Sequence, residues 1–262
     1  MRPRSRCASI GESAGLHPIA CRILWISPRA LAPSRTPTPL RRLGGSPQVT
    51  PVADPTPTPG AGQLGLGDVR DGWMYVPESY SPATAAPLFI GLHGAGGASN
   101  DWTSYAARAE ARGMILLAPD SRSSTWDLVR GSFGPDVDFL DRALKHTFER
   151  TRIDPARIAL GGFSDGASYA LSLGVSNGDL FSHLVAYSPG FLRPSDPVVG
   201  KPLVYVSHGT RDGILPVSSS RNLIVPTLRE DGYDVTYQEF DGGHEVPAAI
   251  SESALDWFLG EG

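Results

Sequence analysis

The turn at residues 162–166, with the sequence Gly-Phe-Ser-Asp-Gly, restricts the possible folds of this chain more than any other segment. An apolar run at 157–161 leads into it, and an Ala/Leu-rich helical pattern at 167–175 follows it. In this strand–turn–helix context the turn is so tight that Ser164 takes strained backbone angles and presents its hydroxyl above a sheet. The flanking glycines are needed because side chains there would collide with the neighbouring strand and helix. A chain with 30 glycines also matches this motif by chance, so the surrounding signals decide its meaning.

An acid and a histidine follow predicted strands downstream of this turn. Residues 202–207 form an apolar run, and the sequence His-Gly-Thr-Arg-Asp then ends at Asp212. Residues 235–240 alternate apolar and polar side chains, and Asp-Gly-Gly-His then ends at His244. Open parallel sheets place their ligand crevices at the carboxyl ends of their strands, where Ser164, Asp212 and His244 are all predicted to lie. The order Ser, Asp, His is that of the α/β-hydrolase architecture, and it differs from the chymotrypsin and subtilisin orders.

An oxyanion-binding turn is predicted upstream. An apolar strand at 87–92 runs into His-Gly-Ala-Gly-Gly at 93–97. Glycines after an early strand let the backbone approach an ester carbonyl and direct an N–H group at the developing negative charge. We assign the two donors to the amides of Ala95 and Asp165, and we expect Gly96 to lie against the substrate. His93 orders this turn by packing or by hydrogen bonding.

These four motifs together resemble the phospholipase/carboxylesterase (acyl-protein-thioesterase-like) branch of the α/β-hydrolases. That branch is similar to the polyhydroxybutyrate-depolymerase-like and feruloyl-esterase-like esterases. The resemblance covers roughly residues 70–260 and implies an α/β fold, a mostly parallel central sheet flanked by helices. It also implies a serine esterase or thioesterase with Ser164, Asp212 and His244 at the catalytic positions. The residue after the nucleophile is often Gln in the thioesterases and is Asp165 here, which favours an esterase.

Predicted strands alternate with predicted helices, a pattern typical of a mostly parallel sheet. The first strand, after Asp71 and Gly72, is predicted to be an antiparallel edge strand. Only about a dozen residues (189–200) separate two late strands, which is too short for a cap domain and favours small soluble esters or the end of a polymer. The predicted strands are 73–76, 88–92, 114–118, 158–163, 184–188, 203–207 and 235–240, and the predicted helices are 99–112, 135–150, 166–176, 217–231 and 247–259.

Residues 1–67 are predicted to be a disordered leader and linker, and residues 68–262 the catalytic domain. The leader has 11 of the 24 prolines and carries +6, so the rest of the chain carries −10. Such a composition buries too little apolar surface to offset the entropy of ordering. The leader is either a targeting segment or the product of a misplaced start codon. A cytoplasmic location is slightly favoured, with export or an organelle as alternatives.

Composition also limits cofactors and partners. Both cysteines, Cys7 and Cys21, lie in the leader, so the domain has no thiolate metal site. Its acidic balance argues against nucleic acid as a partner. No run reaches about 18 apolar residues, so no transmembrane segment is predicted. Asp136 and Asp138 resemble a metal pair, but they open a predicted helix, where the helix dipole favours carboxylates. We therefore predict no metal and no cofactor, and leave the oligomeric state open.

The sequence thus predicts a cofactor-free hydrolase of carboxylic esters that acts through an acyl-enzyme. Trp126 and Trp102 either form a wall for an acyl or aryl group or simply pack in the core. Leu215 is expected at the rim of the crevice. Asp241, three residues before His244, competes with Asp212 for the role of triad acid. Other functions on the same fold are a thioesterase, a peptidase and a non-catalytic binding protein.

Overall fold

One eight-stranded sheet organises the computed structural model of the protein, which describes residues 43–44, 57–67 and 69–261. The strand order is β1-β2-β4-β3-β5-β6-β7-β8. The strands β3 to β8 are all parallel to one another, whereas β2 pairs antiparallel with both β4 and β1 at one end of the sheet. The strands are β1 (Gly60–Gln63), β2 (Gly72–Val76), β3 (Ala86–Leu92), β4 (Ile115–Pro119), β5 (Ile153–Phe163), β6 (His183–Tyr187), β7 (Leu203–Gly209) and β8 (Val235–Phe240).

Within the described residues, six α-helices cover the two faces of the sheet. They are α1 (Tyr105–Ala111), α2 (Asp127–Arg130), α3 (Pro135–Arg150), α4 (Asp165–Val175), α5 (Val225–Glu230) and α6 (Ala248–Leu259). A 3₁₀ turn, Ser99–Trp102, precedes α1, and a π-helical turn, Ser219–Ile224, leads into α5. The connection between β6 and β7, which lies within the described residues, contains no helix. None of the helices in the described ranges combines the length and hydrophobicity that crossing a bilayer requires.

The inner strands of the sheet are buried on both faces, which explains why β3, β4, β6 and β7 are apolar runs in the sequence. Leu88, Ile90 and Leu92 of β3 face one core cluster, which includes side chains of α3 and α4. Phe89 faces the other cluster, which includes side chains of α1 and α6. Pairing between β3 and β5 sets Leu92 beside Gly162. The turn after β3 and the turn after β5 therefore emerge next to each other.

The predicted edge position of the first strand is wrong. The strand at 73–76 is antiparallel, as predicted, but it is not at the edge, because β1 pairs outside it. Leu64, just after β1, is 4% exposed and belongs to the core. The domain therefore begins before residue 68. Strand β1 is Gly-Ala-Gly-Gln, whose small side chains show no apolar alternation. Most of the predicted leader, with Cys7 and Cys21, lies outside the described residues.

Candidate active site

The turn between β5 and α4 consists of one residue, Ser164. Its backbone has φ 57° and ψ −118°, a conformation that a non-glycine residue adopts only under strain of about 1–3 kcal/mol. A Cβ atom at Gly162 would collide with the backbone of Gly166, and one at Gly166 would collide with the carbonyl of Leu92. The Ser164 amide donates to the Tyr187 carbonyl at 2.9 Å, which ties the turn to β6. The motif thus has the geometry of a nucleophile elbow.

Three predicted residues meet above this turn in one chain of hydrogen bonds. His244 Nε2 lies 2.8 Å from the Ser164 hydroxyl, and His244 Nδ1 lies 2.6 Å from Asp212 Oδ2. The residues come from the loops after β5, β7 and β8, at the carboxyl edge of the sheet. Ser164 keeps 7% of its surface exposed, whereas the Asp212 side chain is fully buried. The Phe163 ring packs against the imidazole of His244, with 4.7 Å between ring centres.

The Asp212 carboxylate is held as an ionised acceptor. Burial alone raises its pKa, but hydrogen bonds from His244 and from the amides of Leu215 and Ile214 outweigh burial and leave the pKa below its ordinary value. Both amides donate to Oδ1 at 2.9 Å, while Oδ2 faces His244. An acceptor-only group at Nδ1 keeps the proton there, so Nε2 is free to accept one from Ser164.

The rival acid lies elsewhere. Asp241 is exposed and forms an ion pair with Arg211, with 2.7 Å between Oδ1 and Nη1. His208 is buried behind Asp212. Its Nε2 donates to the Leu215 carbonyl at 2.8 Å, and its Nδ1 accepts from the Ser220 hydroxyl at 2.7 Å. His208 therefore braces the turn that carries the two amides bound to Asp212.

The turn after β3 passes close to Ser164. A Cβ on Gly94 would lie 3.4 Å from the Ser164 Cβ. The Gly94 carbonyl accepts from His93 Nδ1 at 2.7 Å and from the Gly97 amide at 3.1 Å. Because a peptide is planar and trans, these two bonds direct the Ala95 N–H to the opposite side. Among the described residues, neither this N–H nor the N–H of Asp165, at the start of α4, has an acceptor.

His93 is held neutral in one tautomer. Nε2 accepts from the Ser121 amide at 3.0 Å, so the proton lies on Nδ1, which donates to Gly94. Burial, more than any other influence, lowers the pKa of His93. Arg70 also reaches Nε2, at 3.2 Å, and donates to the carbonyls of Gly97 and Ser121 at 2.8 and 2.6 Å. Sequence reasoning missed Arg70, because a lone arginine in a polar loop carries no motif.

The predicted substrate wall is partly wrong. Trp126 has no exposed surface, and its indole N–H donates to the His93 carbonyl at 2.8 Å, so it supports the oxyanion turn from below. Trp102 is 4% exposed and lines a cavity beside the turn. Gly96 is exposed with φ +72°, and its amide donates to the Ser124 carbonyl. Leu215 is half-buried at the rim of the crevice, close to Gly190.

Two cavities flank the residues next to Ser164 in the chain. One, of about 170 Å³, is lined by Phe163 and Gly94. The other, of about 360 Å³, is lined by polar side chains, including Thr125. The Thr125 hydroxyl donates to the Asp165 carboxylate at 2.6 Å.

The acidic residues at the start of α3 are structural where their contacts are described. Asp136 accepts the amides of Arg122 and Asp127, and the Asp127 carboxylate accepts the amide of Asp136 at 2.9 Å. The two carboxylates therefore cap the backbone of each other's helix, as expected near a helix N-terminus. Within residues 43–44, 57–67 and 69–261, no three His, Cys, Asp or Glu side chains are grouped as a metal site requires.

Comparison with known structures decides the fold. No family model matches the chain. The crystal structure of esterase PE8 is 23% identical and superposes with a TM-score of 0.60, covering 73% of this chain and 98% of that one. The Bacillus cereus carboxylesterase is 22% identical, with a TM-score of 0.56, and covers 73% of this chain and 94% of its own. The chain has an α/β-hydrolase fold.

Its curated relatives are esterases, a thioesterase and other hydrolases. Probable feruloyl esterase C of Aspergillus clavatus is 26% identical over 173 residues, 62% of this chain and 62% of the relative. Feruloyl esterase D of Neurospora crassa is 29% identical over 47% of this chain and 41% of its own length. Acyl-protein thioesterase 1 of Gibberella zeae is 28% identical over 66% of this chain and 88% of its own. The chain therefore spans less than two thirds of the length of the feruloyl esterases that it matches.

Proposed function

We propose that this α/β-hydrolase is a serine carboxylesterase that hydrolyses small or accessible carboxylic esters through an acyl-enzyme. The hydrogen-bonded chain from the Ser164 hydroxyl through His244 to Asp212 carries the proposal. A serine hydroxyl is a weak nucleophile at neutral pH, and a histidine within hydrogen-bond reach activates it. The feruloyl esterase relatives and the esterase fold neighbours support the same chemistry.

Acylation follows from this geometry. Ser164 Oγ attacks the ester carbonyl carbon while His244 Nε2 takes the hydroxyl proton. The carbonyl oxygen becomes an oxyanion, which the amides of Ala95 and Asp165 stabilise by hydrogen bonds. The Asp212 carboxylate stabilises the imidazolium that forms. The tetrahedral intermediate then collapses: the bond to the alcohol oxygen breaks, and His244 returns its proton to that oxygen.

Deacylation repeats the cycle with water. A water molecule gives its proton to His244 and attacks the acyl carbon, and the oxyanion forms between the same two amides. Collapse of this intermediate breaks the bond to Ser164 Oγ, which takes the proton back from His244. The products are a carboxylic acid and an alcohol. No cofactor enters any step.

A fluorophosphonate probe tests the proposal, because it modifies only a serine that a base activates. We expect Ser164 to be labelled and Ser164→Ala to be neither labelled nor active. A parent protein that is folded but remains unlabelled would support a non-catalytic binding protein instead.

A thioesterase is the second candidate, because the thioesterase relative is covered more completely than the feruloyl esterases are. The same steps cleave a thioester, with a thiol as the leaving group. Hydrolysis of p-nitrophenyl, feruloyl and acyl-CoA substrates, compared by kcat/KM, separates the two candidates. A kcat/KM that is higher for the acyl-CoA substrates would favour the thioesterase.

A further inference from the structure

The smaller cavity beside the nucleophile joins all three parts of the proposed machinery. Its volume is about 170 Å³. Gly94 belongs to the oxyanion turn, Phe163 precedes Ser164, and Val246 follows His244 by two residues. Its lining includes Gly94, Trp102, Ser104, Tyr105, Phe163 and Val246.

This cavity lies on the histidine side of the nucleophile. Phe163 packs directly against the His244 ring, and both Phe163 and Val246 line the cavity. In the reaction His244 Nε2 protonates the leaving oxygen, which must therefore come within hydrogen-bond reach of that nitrogen. The group attached to the leaving oxygen is the alcohol half of the ester. From this geometry we infer that the cavity binds the alcohol half and limits it to an apolar group of about one ring. The inference rests on the proposed function.

The size and lining of the cavity fix the chemical class of the alcohol. A cavity of about 150 Å³ holds one benzene ring, so about 170 Å³ accommodates one ring but not two fused rings. Trp102, Tyr105 and Phe163 provide aromatic surface, which suits an aryl or a small alkyl group. Asp101 places an exposed carboxylate among the lining residues, and this charge disfavours anionic alcohols.

The larger cavity serves as the matched comparison. It adjoins Asp165 through the hydroxyl of Thr125, and it holds about 360 Å³ between polar side chains. Ser132 lines it, as Ser104 lines the smaller cavity, and both serines are exposed. The Ser104 side chain makes no capping hydrogen bond to α1. Phenylalanine at either position therefore fills one cavity at little cost to the fold.

The experiment compares Ser104→Phe with Ser132→Phe on benzyl acetate and ethyl acetate. These esters share one acyl group and release alcohols of similar basicity, so their ratio of kcat/KM reports only the fit of the alcohol. Ser104→Phe should lower the benzyl-to-ethyl ratio roughly tenfold or more, because the ring loses its pocket. Ser132→Phe should leave the ratio within about twofold of the parent ratio.

Deacylation gives a second readout. The acyl-enzyme has already lost its alcohol, so a residue that contacts only the alcohol does not change the rate of its hydrolysis. After a burst with p-nitrophenyl acetate, Ser104→Phe should deacylate at the parental rate. An unchanged benzyl-to-ethyl ratio overturns the inference, whatever the rate of deacylation, and leaves the esterase proposal standing. A parent that neither hydrolyses esters nor reacts with a fluorophosphonate overturns both.

Discussion

Replacing Asp212 with asparagine tests the role of one oxygen atom. In the parent, Oδ1 accepts two amides and Oδ2 accepts from His244 Nδ1. An asparagine that keeps its oxygen toward the amides of Ile214 and Leu215 turns its NH₂ group toward Nδ1. Nδ1 must then give up its proton, and the proton moves to Nε2, which can no longer accept one from Ser164. The flipped asparagine avoids this, but its NH₂ group then faces two N–H donors.

The expected loss is large. The same substitution in the serine-protease triad lowers kcat about 10⁴-fold, which corresponds to about 5 kcal/mol of transition-state stabilisation. Asp241→Asn is the matched control, because its side chain is 77% exposed and its ion pair with Arg211 is worth at most about 1 kcal/mol. We expect kcat within about twofold of the parent for Asp241→Asn.

The assay is kcat on p-nitrophenyl acetate for both variants, with circular dichroism to show that each is folded. A strongly reduced kcat for Asp241→Asn together with a parental kcat for Asp212→Asn would refute the assignment of Asp212 as the triad acid, while the esterase proposal would remain. Equal and small effects of both substitutions would refute the hydrogen-bonded chain as the source of the activity.

Three further perturbations follow from the same contacts. Arg70→Met should lower kcat roughly tenfold with KM nearly constant, because Arg70 holds the proposed oxyanion turn through its hydrogen bonds to His93 and Gly97. A rise in KM with an unchanged kcat would contradict this prediction. Deleting residues 1–64 should lower Tm by about 5 °C, because it removes β1 and the burial of Leu64, which contributes about 2 kcal/mol. Deleting residues 1–42 should shift Tm by less than about 2 °C. Equal shifts of Tm for the two deletions would contradict the contribution of β1 and Leu64 to stability. The folded pKa of Asp212 lies below the unfolded one, so its contribution to stability is complete above about pH 4 and is lost as pH falls through the folded value. The difference in the free energy of unfolding between the parent and Asp212→Asn should therefore shrink as the pH falls below about 4, and a constant difference in urea titrations would argue against it.

The sequence predicted the sheet and the candidate site because each depends on local patterns. The apolar runs before Ser164 and Asp212 are strands buried on both faces, whereas the strand before His244 is a partly exposed edge strand whose side chains alternate between apolar and polar. Parallel pairing then brings the loops after those strands to one edge of the sheet. The glycines beside Ser164 reflect close backbone contacts, which leave a direct signature in the sequence.

What the sequence could not show depends on contacts between distant segments. Trp126 was predicted either to form a substrate wall or to pack in the core, and its indole N–H pairs with the carbonyl of His93, 33 residues away. Arg70 acts on the oxyanion turn from a loop that precedes β2 and has no motif of its own. Strand β1 has no large side chain to mark it, and it forms because β2 offers an open edge.

The most direct test of the central claim is the hydrolysis of one activated ester by the Ser164→Ala variant. Without the hydroxyl no acyl-enzyme forms, so kcat should fall by about 10⁴-fold or more while the circular dichroism spectrum and Tm stay those of the parent. Mass spectrometry should find the fluorophosphonate adduct on Ser164 in the parent and no adduct in the variant. Activity of a folded Ser164→Ala within tenfold of the parent would contradict the account.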